Sequence, residues 1–306
     1  MRILRFTVPQ EYDGAKGKDF LRRYCGLSYR LVVALKQIEN GVTADGNVLR
    51  TIDRVKSGQT VEIRLSNEDE SPQECAESGE ATVLYEDDDV LVFDKPAEMP
   101  VHPSKLHPNG TLANVAAKYS RSRGECVSFR PINRLDRNTT GIVVTAKNSY
   151  AAAKLSGKTE KIYFAVIEGI LEGKGTIDAP LRRKEGHTIQ REIGEGGETA
   201  VTHWESIAVG EGHTLLKVMI ETGRTHQIRA HFSSLGYPLA GDDMYGGSTD
   251  KISRHALHCA VLWFSHPVSS ETVTVKSALH RDFADLLEKC KMATPSEEYW
   301  QNGCEK

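Results

Sequence analysis

NRLDRNTTGIVVTAKN, residues 133–148, places one carboxylate, Asp136, between Arg134 and Arg137 and then runs straight into a β-branched segment. GIVVTAK (141–147) carries apolar residues on both faces, which is the pattern of a strand inside a sheet. A loop feeding such a strand is held rigidly. The arginines favour the charged form of Asp136, and an ionised carboxylate suits a nucleophile or an electrostatic anchor better than a general acid. An exposed, salt-bridged loop accounts for the same residues, and the run alone does not separate the two.

Working outward, KIYFAVIEG (161–169) is another strand apolar on both faces. TVLYEDDDVLVFDKP (82–96) gives strand, acidic turn and strand, stopped by Pro96. Further strands are predicted at HTLLKVMIETG (213–223), ALHCAVLWFSHP (256–267) and TVTVKSAL (272–279), and helices at LANVAAKYSRSRG (112–124), RTHQIRAHFSSLG (224–236) and 282–289. Strands outnumber helices and tight turns separate many neighbours. The fold class expected is α+β, on a large, mainly antiparallel sheet.

The first part of the chain has its own pattern. Residues 17–41 read as two short helices punctuated by Gly26, with Ser28 as N-cap of the second and Asn40-Gly41 closing it. A hairpin with an Asp45-Gly46 turn and a strand follow, making a small α/β unit over residues 1–66. Lys18, Arg22, Arg23, Arg30 and Lys36 crowd its helical part, either as a solvated face or as a phosphate-contacting one. Residues 67–82 are acidic and nearly free of large apolar side chains, the composition of a flexible linker, so the small unit is expected to be tethered to a second domain over 83–306.

With 39 Lys and Arg against 42 Asp and Glu, the net charge is −3, so nucleic-acid contact requires a local basic patch. No apolar run approaches the roughly 18 residues of a membrane helix. The opening MRILRFTVPQEYDG lacks the apolar core of a secretory signal, and the six cysteines form no C-x-x-C pair. A cytoplasmic protein with free thiols is expected.

In RTHQIRAHFSSLG, Ile228, Phe232 and Leu235 form the expected buried stripe, Thr225 the expected cap, and His226 and Arg229 share another face. Spacing alone serves equally a surface arginine and one aimed across the sheet edge. Histidines 226, 231, 255, 258 and 266 lack metal-ligand spacing and read as hydrogen-bonded core residues; no metal is expected. Tyr163, with Lys161 on the same strand face, is a core tyrosine or a flat stacking surface for a base. P-loop, G-x-G-x-x-G and G-x-S-x-G motifs are absent, and no second carboxylate pairs with Asp136 in a glycosidase arrangement.

Taken in order, YEDDDVLVFDKPAEMPVHPS, NRLDRNTTGIVVTAK, KIYFAVIEG, GETAVTHWE, ETGRTHQIRAH, GYPLAGDDMYG and ALHCAVLWFSHP closely resemble the motifs of the RluA/RluD-type RNA pseudouridine synthases, over about residues 83–280. Residues 16–65 resemble the small RNA-binding domain of the ribosomal small-subunit protein four type. The resemblance implies isomerisation of uridine to pseudouridine without cofactor or metal. Asp136 would attack a flipped-out nucleotide, Tyr163 would stack on the base and assist at carbon 5, and Arg229 would pair with Asp136. Asn133, Arg134, Lys161, Arg224, His226 and Gln227 would contact substrate, with Arg134 filling the vacated space in the RNA and Arg137 turned toward the protein. Three positions depart from the family pattern: Asn133 replaces a histidine, Glu98 a glycine, and Asp45 an asparagine. The implied partner is RNA, large-subunit ribosomal RNA before transfer RNA, acted on by a monomer. The competing readings are a catalytically silent RNA-binding protein of ribosome assembly and a metal-dependent RNA hydrolase.

Overall fold

The computed structural model describes residues 2–65, 79–105, 107–124 and 128–301; most of the expected linker, 67–78, lies outside them. The first residues form β1 (Arg2–Thr7), α1 (Gly17–Asp19) running into a π turn (Phe20–Tyr24), α2 (Tyr29–Leu35), β2 (Val42–Ala44), β3 (Asn47–Val48) and β4 (Thr60–Leu65). Their sheet has the order β1-β4-β2-β3. The hydroxyl of Ser28 caps α2 by accepting from the Leu31 amide, and Asp45 and Gly46 both take the positive φ that a tight hairpin demands.

The chain continues through β5 (Thr82–Glu86), β6 (Val90–Lys95), α3 (Leu112–Ser122), β7 (Arg130–Pro131), β8 (Thr140–Ala146), α4 (Ser149–Leu155), β9 (Thr159–Glu168) and β10 (Lys174–Asp178). A hairpin, β11 (Leu181–Arg183) and β12 (Arg191–Ile193), precedes β13 (Val201–Gly210), β14 (His213–Ile220), α5 (Gln227–Ser234), β15 (Leu257–Ser265), β16 (Thr272–Lys276) and α6 (Arg281–Lys289). Ten of these strands make one sheet with the path β10-β13-β14-β9-β15-β8-β6-β5, β16 adding to β15 and β7 to β8. Every pairing is antiparallel except β15 with β8. The α+β class and the mainly antiparallel sheet are therefore as the sequence predicts.

β8 and β9 are central, and every residue of β8 is buried. The parallel junction pairs Cys259 of β15 with Gly141 of β8, while the other edge of β15 pairs Cys259 with Tyr163 of β9. Tyr163 thus lies two strand spacings, roughly 10 Å, from the start of β8, where the Asp136 loop enters the sheet. A Cβ at Gly141, whose φ is 105°, would overlap the Cys259 carbonyl, so only glycine permits this approach.

The two units touch. Tyr150 of α4 is packed into the core of the small unit with Phe6 against its ring, and Lys154 lies beside Gly26. The Arg2 guanidinium reaches Asp88 at 2.9 Å and donates from Nε and Nη2 to the buried carboxylate of Asp89 at 3.2 and 2.8 Å. Asp89 also accepts from Asn148, the N-cap of α4, at 2.8 Å. Asp89→Ala would strand these donors and is expected to cost about 3 kcal/mol, whereas Asp88→Ala, removing an exposed partner, costs under about 1 kcal/mol. Urea unfolding of both variants checks the contrast; equal losses would show that burial at Asp89 is not what matters.

Candidate active site

The Asp136 carboxylate is a quarter exposed and faces a guanidinium that is almost wholly buried. Nη1 of Arg229 lies 3.1 Å from Asp136 Oδ2, so the partner of Asp136 is the distant arginine and neither sequence neighbour. Arg134 is exposed; Arg137 donates from Nε to the Glu98 carbonyl at 3.2 Å, turned toward the protein as expected.

Arg229 is held by a second carboxylate that the sequence reading passes over. Asp242 accepts from Nε at 2.7 Å and from Nη2 at 2.8 Å, a bidentate pair that leaves Nη1 for Asp136. Tyr245 places its ring 5.0 Å from the guanidinium carbon. Burial opposes the Arg229 charge, yet its bonds to Asp242 and Asp136 raise it above the ordinary guanidinium value. Burial likewise pulls the Asp136 carboxyl upward, but His226, Arg229 and His255 outweigh it and hold the group below the usual carboxylate range. Of the three, Arg229 carries the charge at neutral pH: burial pushes His255 down to about 3 and lowers His226 as well.

The loop is pinned from below. Asn133 donates to the Ile142 carbonyl and accepts from the Val144 amide, both at 2.9 Å. Both ends of its amide serve the loop–β8 corner, each with one bond, and the residue also lines the cleft where the resemblance places a substrate contact. The Lys95 ammonium, fully buried at the end of β6, donates to the carbonyls of Pro96, Met99 and Arg137 at 2.8, 2.9 and 3.0 Å. Burial lowers Lys95 to about 7. Thr139 meets His255 Nε2 at 2.8 Å, and Arg254 donates to the Asn138 carbonyl at 3.2 Å while paired with Asp282. Glu98 adopts φ 62°, the left-handed region that a glycine fills without strain. Its side chain is exposed.

Two expectations for the helix fail. Thr225 is exposed and makes no cap; His226 occupies the N-cap position at φ 56° with no side-chain cap bond. The corner is closed instead by Gln227, whose Oε1 accepts from the Thr222 hydroxyl at 2.8 Å and the Arg224 amide at 3.0 Å. Its Nε2 donates to the Val201 carbonyl and the Thr202 hydroxyl, at 2.9 and 3.0 Å. With its amide spent inside the protein, Gln227 shapes the site without offering a free group to a substrate. Ile228 and Phe232 are buried, but Leu235 is 49% exposed, because the helix ends at Ser234 and the chain turns through Gly236.

A cleft of about 330 Å³ is lined by Asn133, Arg134, Asp136, Lys161, Tyr163, Arg224, His226, Gln227 and Arg229, among others. All nine expected catalytic and substrate-contact positions therefore meet in one place. Tyr163 is buried, and burial raises its hydroxyl well above the ordinary tyrosine value, with Cys259 as its hydrogen-bond partner. Lys161 turns its ammonium to Thr159, and burial lowers its pKa. Arg224 is exposed and reaches Glu198 at 3.4 Å and the Thr199 carbonyl at 3.1 Å. His231 and His258 are buried and bonded to Thr202 and Thr140, the core role foreseen for them.

A carboxylate kept ionised by a buried arginine, in a cleft walled by a tyrosine, can attack an electron-poor carbon and hold a planar ring. Residues 89–234 match the family model described as RNA pseudouridylate synthase. Over 240 residues the chain is 39% identical to the uncharacterized RNA pseudouridine synthase YhcT of Bacillus subtilis, covering 76% of this chain and 79% of that protein. The chain belongs to the RNA pseudouridine synthase family.

Ribosomal large subunit pseudouridine synthase D of Pseudomonas aeruginosa is 37% identical over 269 residues, covering 80% of this chain and 82% of its own length. Among solved structures, human RNA pseudouridylate synthase domain containing 4 matches with a TM-score of 0.58 at 22% identity, over 70% of this chain and 94% of that one, a likeness of fold. Human RNA pseudouridylate synthase domain containing 1 gives 0.54 at 25% identity, over 74% and 98%. The family's reaction is isomerisation of uridine in RNA, so the silent-binder reading is not favoured.

Asp242→Ala, which leaves the Arg229 charge buried with a single partner, is expected to cost about 3–5 kcal/mol in chemical denaturation. A loss under about 1 kcal/mol would mean that Asp242 does not hold Arg229 in place.

Proposed function

We propose that the protein converts specific uridines of large-subunit ribosomal RNA to pseudouridine, with Asp136 as the attacking carboxylate. The observation that carries the reading is the 3.1 Å pair between Arg229 and Asp136 at the floor of the cleft. Arg229 keeps the carboxylate ionised and aims it. Tyr163 presents a flat, buried ring for the base, and its hydroxyl stays protonated at neutral pH; it assists at carbon 5 as a hydrogen-bonding group unless another group first takes its proton. Arg134, exposed at the cleft, enters the space that the flipped nucleotide leaves.

The small N-terminal unit supplies affinity. Lys18, Arg22, Arg23, Arg30 and Lys36 are all exposed, and Arg22 lies 6.0 Å from the centre of the Tyr29 ring, itself 65% exposed. Cations beside an accessible aromatic suit phosphate and base contacts together. The relatives named for the ribosomal large subunit favour that RNA over transfer RNA. The protein acts as a cytoplasmic monomer.

Asp136→Asn is expected to abolish pseudouridine formation while leaving unfolding nearly unchanged. Tritium release from uridine labelled at carbon 5 measures the reaction, and pseudouridine mapping of ribosomal and transfer RNA in a deletion strain identifies the target. Full activity in Asp136→Asn overturns the mechanism; losses confined to transfer RNA overturn the substrate. Because the Asp136 carboxyl is depressed, it remains ionised as the pH falls from 7 to about 5, so kcat/KM should not drop there through this group. An acid limb above pH 5 that tracks Asp136 would contradict the arrangement.

A further inference from the structure

We infer that Tyr245 is a positioning residue for this site: its hydroxyl fixes the tautomer of His226, so that the Nε2–H of that ring faces Asp136. The inference rests on Asp136 being the reacting carboxylate, and it assigns work to a side chain outside the cleft lining.

Tyr245 ends the short turn Asp243–Tyr245 that follows Asp242, and it is 8% exposed. Its hydroxyl oxygen accepts from the Arg191 amide of β12 at 2.8 Å and lies 3.1 Å from Nδ1 of His226. The amide can only donate, so the hydroxyl's own hydrogen has His226 Nδ1 as its acceptor among the recorded contacts. Were Nδ1 protonated, a buried hydroxyl hydrogen would be left without a partner, a loss of about 1–3 kcal/mol. The other side of the ring agrees. Nε2 lies 3.8 Å from Asp136 Oδ2, and a carboxylate favours the nitrogen that carries the proton. Burial lowers the pKa of His226, so the ring is neutral and its one proton goes to Nε2.

The distance of 3.8 Å exceeds a hydrogen bond, so the Nε2–H is a donor held ready for an acceptor atom of the nucleotide bound beside Asp136. His226 is kept there against backbone strain, at φ 56°. Its ring meets the edge of Tyr245 with centroids 5.7 Å apart, and the same tyrosine ring lies beneath Arg229. The turn is itself anchored, by Ser233 to the Tyr245 carbonyl at 2.8 Å and by Gln190 to the Met244 carbonyl at 2.9 Å.

Tyr245→Phe keeps the ring under Arg229 and removes only the hydroxyl. In the RNA-free protein, nitrogen-15 shifts assigned through His226→Ala should show the wild-type ring as the Nε2–H tautomer and the Tyr245→Phe ring as a mixture. With a ribosomal RNA transcript labelled at carbon 5 of uridine, kcat should fall about tenfold in Tyr245→Phe, with KM changed less than about twofold. The double variant with His226→Ala should be no slower than His226→Ala alone. A wild-type ring protonated on Nδ1, an unchanged tautomer in Tyr245→Phe, or fully additive losses in the double variant each overturn the inference. An inactive wild-type protein on that transcript would instead count against the substrate assignment, leaving the tautomer measurement to decide.

Discussion

A guanidinium can be buried only if its charge and its donors are met, and in this molecule two carboxylates from distant parts of the chain meet those of Arg229. Asp242, fully buried, takes the two-pronged side and fixes the plane of the group. Of the remaining donors, Nη2 also meets the Met244 sulfur at 3.8 Å, and Nη1 is directed at Asp136. The loop before β8, helix α5 and the turn at 242–245 therefore converge on a single cation. Displacing any of them would leave a buried charge in the low-dielectric interior, so the constraint that stabilises the fold also aligns the Asp136 carboxylate.

Beneath that contact the loop is held by three side chains, of which Asn133 also lines the cleft. Lys95 joins the end of β6 to the Arg137 carbonyl, Asn133 joins the loop to β8, and Arg254 reaches the Asn138 carbonyl. Burial places Lys95 near 7, yet three carbonyl oxygens at 2.8–3.0 Å are arranged for an ammonium, and they oppose loss of its proton. Asp136 is flanked by Arg137 and Asn138, tied through their main-chain carbonyls, and by Asn133, tied through its side-chain amide.

Much of this was legible in the sequence, because it depends on local patterns. Runs apolar on both faces marked β8 and β9 as interior strands, Ser28 marked a helix start, and Asp45-Gly46 marked a hairpin. The ordered motifs brought Asp136, Tyr163 and Arg229 together. Asp242 and Tyr245 escaped notice, although both stand in a quoted motif. A carboxylate in a polar, glycine-rich loop reads as surface, and nothing in spacing shows that the loop folds back onto Arg229. The corner before α5 misled for a related reason. Thr225 has the right residue type for a cap, but Gln227 already satisfies the corner's backbone and its neighbours. For Asn133 the resemblance carried the position in the cleft but did not show that its amide also fastens the loop to β8.

The parallel seam at Gly141 and Cys259 has a consequence for how such an enzyme can diversify. The strands approach so closely there that no side chain is tolerated on Gly141. The distance from the Asp136 loop to Tyr163 two strands away is thereby set by main-chain geometry. Side-chain changes in the loops around the cleft do not touch that spacing. Change at the periphery and constancy at the chemistry are separated by one missing methyl group.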